Sequence, residues 1–299
     1  MFYTTISFVL TCLLGSLAVV LLYNRSYTFF NLVATDVAPL WDASKQAFTA
    51  VMTTQDFIHT LRKYQENTSA IQNFELKSIE DIINLEVHNF GHEFQSIDAE
   101  DNVHQLCGVL AKLETDHAPV IDADNGSLVA VLGYMDILHL LIQLGQRFPS
   151  FFETPLEQAS IGNFRNIVTA PRTTNVAAAL ATIDSRDLSC LPITDKTGRV
   201  IGLYQPQDIS FIQKTANTEV PIASISTLLL DDVLSHQQAT QSMSYSCICS
   251  LDESIKVVIE RMANSRLTQL ACVDQAGACL GIIRVKDILS FIFPGDDAI

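Results

Sequence analysis

Four aspartates stand at regular places in this 299-residue chain: Asp56, Asp136, Asp208 and Asp287. Each follows by 13 or 14 positions an earlier aspartate that closes a short apolar run. The runs are Ala38-Pro-Leu-Trp-Asp42, Ala118-Pro-Val-Ile-Asp122, Leu191-Pro-Ile-Thr-Asp195 and Leu270-Ala-Cys-Val-Asp274. A carboxylate at a helix start is stable with no ligand, because the helix dipole favours negative charge there. It can equally accept hydrogen bonds from two hydroxyls. Other groups lie near the same landmarks. His117, beside Asp116 at an apolar run, suits a partly buried structural histidine as well as an anion partner. Arg284 and Lys286 are two apart on an expected strand and should share a face, turned either to solvent or to a negatively charged ligand. Asp122-Ala-Asp124-Asn-Gly126 lacks the closing glutamate of a calcium loop, since Gly133 stands at that place, and reads as a turn. No nucleophile elbow, phosphate loop, His-Glu-x-x-His or dinucleotide glycine pattern occurs, so the chemistry on offer is binding rather than catalysis.

The elements that must carry these residues repeat. The run-closing aspartates are separated by 80, 73 and 79 positions, and two landmarks kept in step over four units mark an internal repeat. Val103, Leu106, Cys107, Leu110 and Leu113 fall at helical spacing, as do Ile255, Val258, Ile259 and Met262. A strand, a Gly/Asp/Asn turn, a second strand and an acidic helix start follow. The unit is a helix, a hairpin and a second helix, with a further strand expected near its beginning. So small a unit cannot bury its apolar face alone, and the units should pair, one with two and three with four. Residues 65–91 read as a helical acidic connector and 148–161 as a proline-bearing linker.

Composition narrows the partners. Hydrophobic residues make up 48% and charged residues 17%, which demands packed cores. The net charge of -15 excludes a nucleic-acid-binding face. Seven scattered cysteines without Cys-x-x-Cys spacing suit buried thiols in a reducing compartment. Phe2 to Tyr23 is uncharged and long enough to span a bilayer as a helix, with Arg25 placing the remainder on the cytosolic side.

Together these stretches resemble the CBS (cystathionine beta-synthase) domain, and four copies resemble the gamma subunit of AMP-activated and SNF1-type protein kinases. Ile161-Gly-Asn-Phe-Arg-Asn-Ile167, Thr54-Gln-Asp-Phe-Ile58 and Leu61-Arg-Lys-Tyr64 sharpen the likeness. The resemblance implies an α+β fold of four tandem CBS repeats, forming two Bateman-type pairs in a disc-like assembly. The expected divisions are a hydrophobic segment at 1–24, an incomplete first repeat at 25–66, and repeats at 85–147, 161–219 and 236–294. The first repeat lacks its opening strand. Residues 1–24 in its place read equally as a membrane anchor or as the product of a truncated or mis-joined coding sequence.

The resemblance also implies a function: a non-catalytic regulatory subunit with AMP, ADP and ATP as regulatory ligands and no cofactor. Its partners would be an alpha-type catalytic subunit and a beta-type scaffolding subunit, in the cytoplasm and nucleus, or tethered to a membrane with the repeats facing the cytosol. The nucleotide-binding positions carried over are Thr53, Asp56, His117, Asp136, Asn163, Ser189, Asp208, Arg284, Lys286 and Asp287. In the family the aspartates meet ribose and basic residues gather phosphates. Here the phosphate side departs, with Asp36, Asp116, Met135, Thr268 and Gln269 at positions where the family has basic residues. Asn163, Ser189 and Asp208 are expected to hold adenosine in repeat three. The alternative is a scaffold that docks kinase subunits without sensing nucleotide.

Overall fold

The computed structural model describes residues 6–7, 37–42, 45–53, 94–112, 116–208, 227–240 and 247–294. The chain divides into two compact units, Met1–Leu132 and Gly133–Ile299.

The first unit holds two three-stranded sheets. In one, β1 (Ile6–Ser7), β2 (Val37–Asp42) and β3 (Ala47–Thr53) lie in that order. In the other, β4 (Ile97–Asp98), β5 (His117–Ile121) and β6 (Leu128–Gly133) do the same, with helix α1 (Val103–Lys112) joining β4 to β5. β4 runs parallel to β5, with Ile97 opposite Val120, and a parallel pair needs such a crossover. The apolar spacing that predicts α1 buries Leu106, Cys107 and Leu110.

In the second unit the same order returns twice. β7 (Ala170–Pro171), α5 (Val176–Ser185), β8 (Leu191–Thr194) and β9 (Val200–Tyr204) form repeat three, followed by a short 3-10 turn at Pro206–Asp208. β10 (Ile248–Cys249), α7 (Ile255–Ser265), β11 (Gln269–Val273), β12 (Cys279–Arg284) and α8 (Val285–Ile292) form repeat four. The unit also contains α2 (Tyr134–Arg147), α3 (Pro149–Phe152), α4 (Leu156–Ala159) and α6 (Leu230–Thr240). Asn175 and Ser254 start α5 and α7 by accepting the N–H of Ala178 at 2.7 Å and of Val257 at 3.4 Å. Ile255, Val258, Ile259 and Met262 are buried, each worth about 1.5–3 kcal/mol of transfer free energy. α2 packs against α7.

The run-closing aspartates are turn residues. Asp122 Oδ1 accepts the N–H of Asp124 at 2.9 Å, Asp195 Oδ1 that of Thr197 at 2.7 Å, and Asp274 Oδ1 that of Ala278 at 2.8 Å. A glycine in the left-handed region completes each hairpin: Gly126 at φ +69, Gly198 at +83 and Gly277 at +86. The short opening strand is present in repeats two to four, parallel to the strand beside it. The first repeat differs from expectation, for Ile6–Ser7 takes that edge place. It runs antiparallel, with Ile6 opposite Asp42, because an unpaired sheet edge accepts a strand from either direction. These two residues are strand, not part of a helix beginning at Phe2. The rest of residues 1–24, the connector 65–91, Asp36 and Asp56 lie outside the described residues. Among the described residues, no helix is long and apolar enough to cross a membrane.

Two expected boundaries are corrected. Residues 148–161 are not a free linker: the Leu156 N–H donates to Glu253 O at 3.0 Å and the Ile255 N–H to Thr154 O at 3.0 Å, so this segment is stitched to the start of repeat four. Leu156 is wholly buried there. The boundary at 236 falls inside α6, which belongs by its bonds to repeat three. The Leu230 N–H donates to Thr174 O at 2.9 Å, the Val176 N–H to Leu228 O at 2.8 Å, and Arg172 pairs with Asp231. Each repeat of this pair therefore has its first helix clamped by the segment that precedes its partner.

Candidate functional site

The loop that opens repeat three lies along β12. Asn163 and Ile282 exchange backbone hydrogen bonds, both at 2.9 Å. Two glycines permit the approach. A Cβ on Gly162, whose φ is +118, would sit 2.4 Å from Ile283 Cδ1; one on Gly281 would sit 2.8 Å from Asn163 O. The Asn163 side chain then accepts the Arg165 N–H at 3.0 Å, turning the loop. A pocket forms between this loop, the stretch before β8, and the end of β12. Asn163, Arg165, Ser189, Cys190, Ile282 and Arg284 are among its walls.

Exposed Ser189 on the pocket wall is backed by a buried partner, Gln269. Ser189 Oγ donates to Gln269 Oε1 at 2.7 Å, and Gln269 Nε2 donates to the Ser189 carbonyl at 3.1 Å. Gln269 lies opposite Arg284 in the β11–β12 register, so this pair and the Arg284 side chain belong to one wall. Arg284 ends β12 and turns its guanidinium onto Asp287. Nε lies 3.2 and 3.0 Å from Oδ1 and Oδ2, Nη2 is 2.7 Å from Oδ1, and the Arg284 backbone N–H is 3.1 Å from Oδ2. Bonding to Asp287 holds the Arg284 charge above its usual pKa. Burial pushes the Cys190 thiol up to about 12, so that wall is a neutral thiol, not a nucleophile.

Of the expected site residues, Asn163, Ser189 and Arg284 come together here. Asp208 is not among the pocket's walls; its carboxylate accepts the Gln205 N–H at 2.7 Å and a Gln237 side-chain bond. Asp208 nonetheless lies near enough to the Cys190 wall to help raise its thiol's pKa. The expected placing of Lys286 is corrected. β12 stops at Arg284, and Lys286 lies in the first turn of α8, so the two do not alternate along one strand. Asp136, Asp208 and Asp287 all accept the N–H three residues before them, from Gly133 at 2.8 Å, Gln205 at 2.7 Å and Arg284 at 3.1 Å. Their recurrence therefore has a capping role in each case. Thr53 ends β3, and His117 opens β5 in the first unit, partly buried. Sequence reasoning did not single out Arg165. It sits on a loop with no apolar period, and only its closeness to Gly162 marks it.

The six cysteines among the described residues are free thiols, five of them buried. Among the described residues no cluster of His, Cys, Asp or Glu could hold a metal ion.

A sequence model of the CBS domain matches residues 161–211 and 243–294, the two repeats that meet at this pocket. Residues 161–211 and 243–294 are thus each similar to a CBS domain. Over 272 residues it is 30% identical to the human (Homo sapiens) 5'-AMP-activated protein kinase subunit gamma-3, an alignment covering 87% of this chain and 53% of that protein. The subunit gamma-3 of Sus scrofa is 29% identical over 273 residues, covering 87% and 50%. The chain spans about half the length of these curated relatives. Among solved structures it is similar to a Methanocaldococcus jannaschii protein proposed as an archaeal homolog of g-AMPK. That match has a TM-score of 0.64 at 15% identity, over 89% of this chain and 91% of the other, and shows the fold alone.

Proposed function

We propose that this chain is a non-catalytic, gamma-like regulatory subunit of an AMP-activated protein kinase complex, with an adenine-nucleotide site in the repeat three–four pocket. The carrying observation is the meeting of Asn163, Ser189 and Arg284 around one pocket, in a chain similar to gamma-3 subunits over most of its length. Ile167, Val168, Pro192 and Ile282 supply an apolar wall for a base. Asn163 and Ser189 supply hydrogen bonds and the guanidinium groups supply charge for phosphate. The nucleotide acts by binding, and an alpha-type catalytic subunit and beta-type scaffolding subunit receive the signal. Calorimetry with AMP, ADP and ATP tests the ligand, and affinity capture of the tagged chain from its own cells tests the partners. Micromolar AMP binding and recovery of a kinase subunit are expected; absence of both would end this reading.

One observation favours the scaffold alternative. Asp287, which the family resemblance assigns to ribose, already bonds Arg284 through both oxygens. Recovery of kinase subunits by a chain that binds no nucleotide would select it.

A further inference from the structure

We infer that Arg165 is the residue through which this pocket senses a ligand's negative charge, and that the pocket prefers a nucleoside monophosphate to the bare nucleoside. The inference rests on the nucleotide reading above and names the group that decides within it.

Two guanidinium groups line the pocket, and they differ in commitment. A carboxylate has about four acceptor positions. Those of Asp287 meet four contacts from Arg284: Nε to each oxygen, Nη2 to Oδ1 and the backbone N–H to Oδ2. Viewed from the pocket, that pair is close to neutral. Lys286 is on α8 and is not one of the walls. Arg165 is different. Its backbone N–H is fixed on Asn163, while its guanidinium has no hydrogen-bond or ion-pair partner among the described residues.

The loop that carries Arg165 is held in place. The Asn163–Ile282 exchange ties it to β12, and the lack of a Cβ at Gly162 and Gly281 sets the depth of contact. Arg165 is thus an exposed, uncommitted fork of donors on a rigid mount at the pocket mouth. That arrangement suits a phosphate, whose oxygens match a guanidinium two at a time. The opposing charge on the same walls is Asp187, also exposed. Among the described residues, one free cation facing one acid can reward a first phosphate and then has little left for a second or third. The expected order is AMP, ADP and ATP close together, all ahead of adenosine.

The experiment is calorimetry of the full chain with adenosine and AMP, at low and high salt, on wild type, Arg165→Ala, Arg165→Lys and Arg284→Ser. Wild type should bind AMP about tenfold or more tightly than adenosine, with the difference shrinking in salt. Arg165→Ala should bring AMP down to the affinity of adenosine, Arg165→Lys should keep part of the preference, and Arg284→Ser should lower it by less than Arg165→Ala does. Preference lost in Arg284→Ser and kept in Arg165→Ala overturns the assignment while the nucleotide site stands. Binding of neither ligand by wild type overturns the nucleotide reading, and the assignment with it.

Discussion

Ser189 and Gln269, 80 residues apart in the chain, satisfy each other: hydroxyl to amide oxygen at 2.7 Å, and amide nitrogen back to the Ser189 carbonyl at 3.1 Å. Gln269 is 4% exposed, whereas Ser189 is exposed. The pair joins the strand entry of repeat three to that of repeat four and backs the pocket wall.

Gln269→Leu should therefore cost about 0.5–1.5 kcal/mol, the net worth of an ordinary hydrogen bond, since Ser189 is exposed and its hydroxyl and carbonyl can turn to water. Ser189→Ala should cost less, and the double variant less than the sum of the singles, because both remove one interaction. Urea unfolding of the three variants measures this. Strictly additive losses would show that the two side chains do not act as a unit.

Arg284→Ser tests what the Asp287 carboxylate does when its partner is gone. In wild type that carboxylate has no capacity left for a ligand's hydroxyls, so adenosine and 2'-deoxyadenosine should bind alike. In the variant they should separate by about tenfold in favour of adenosine. Equal affinities in the variant would mean that Asp287 does not face the sugar.

Much of the fold was legible because its signals are local and repeated. The paired landmarks around Asp122 and Asp136, Asp195 and Asp208, and Asp274 and Asp287 mark turn and helix start, each set by hydrogen bonds within four residues. The site was legible only in part. Asn163, Ser189 and Arg284 are all singled out by the sequence, but their meeting around one pocket is not readable from it. No local period reveals that the loop at 161–168 lies along β12, because the tie is a tertiary backbone exchange between Asn163 and Ile282. The same reason hid the docking of Leu156 beside α7, where a linker was expected.

Asp208 gives a pH prediction with a definite sign. Burial pushes its carboxyl from 3.8 up to about 6, against the bonds from Gln205 and Gln237 that favour the charged form. The folded chain thus holds this proton more tightly than the unfolded chain does. Its contribution to stability is fullest below about pH 3.8 and is lost as pH rises toward about 6. Asp208→Asn should remove that loss and be more stable than wild type above pH 6 by up to roughly 3 kcal/mol. Urea midpoints of both proteins from pH 4 to 7 give the difference curve. A difference independent of pH, or one growing toward acid, would contradict the burial argument.

Gly281→Ala probes the contact that sets the pocket's shape. The added Cβ would lie 2.4 Å from the Phe164 ring and 2.8 Å from Asn163 O. Phe164 is 40% exposed and can swing aside. The Asn163 carbonyl cannot, because it is backbone and accepts the Ile282 N–H at 2.9 Å from the same strand. The loop must then lift off β12, weakening the Asn163–Ile282 exchange and displacing Arg165. Such overpacking typically costs about 1–3 kcal/mol. The expected result is a lower urea midpoint together with a loss of AMP affinity greater than that of Arg165→Ala, since the whole loop moves. Gly108→Ala is the control: nothing lies within 4 Å of its Cβ position on α1, and alanine there should stabilise by roughly 0.5–1 kcal/mol. A Gly281→Ala protein matching wild type in both stability and AMP binding would show that the loop does not depend on this close approach.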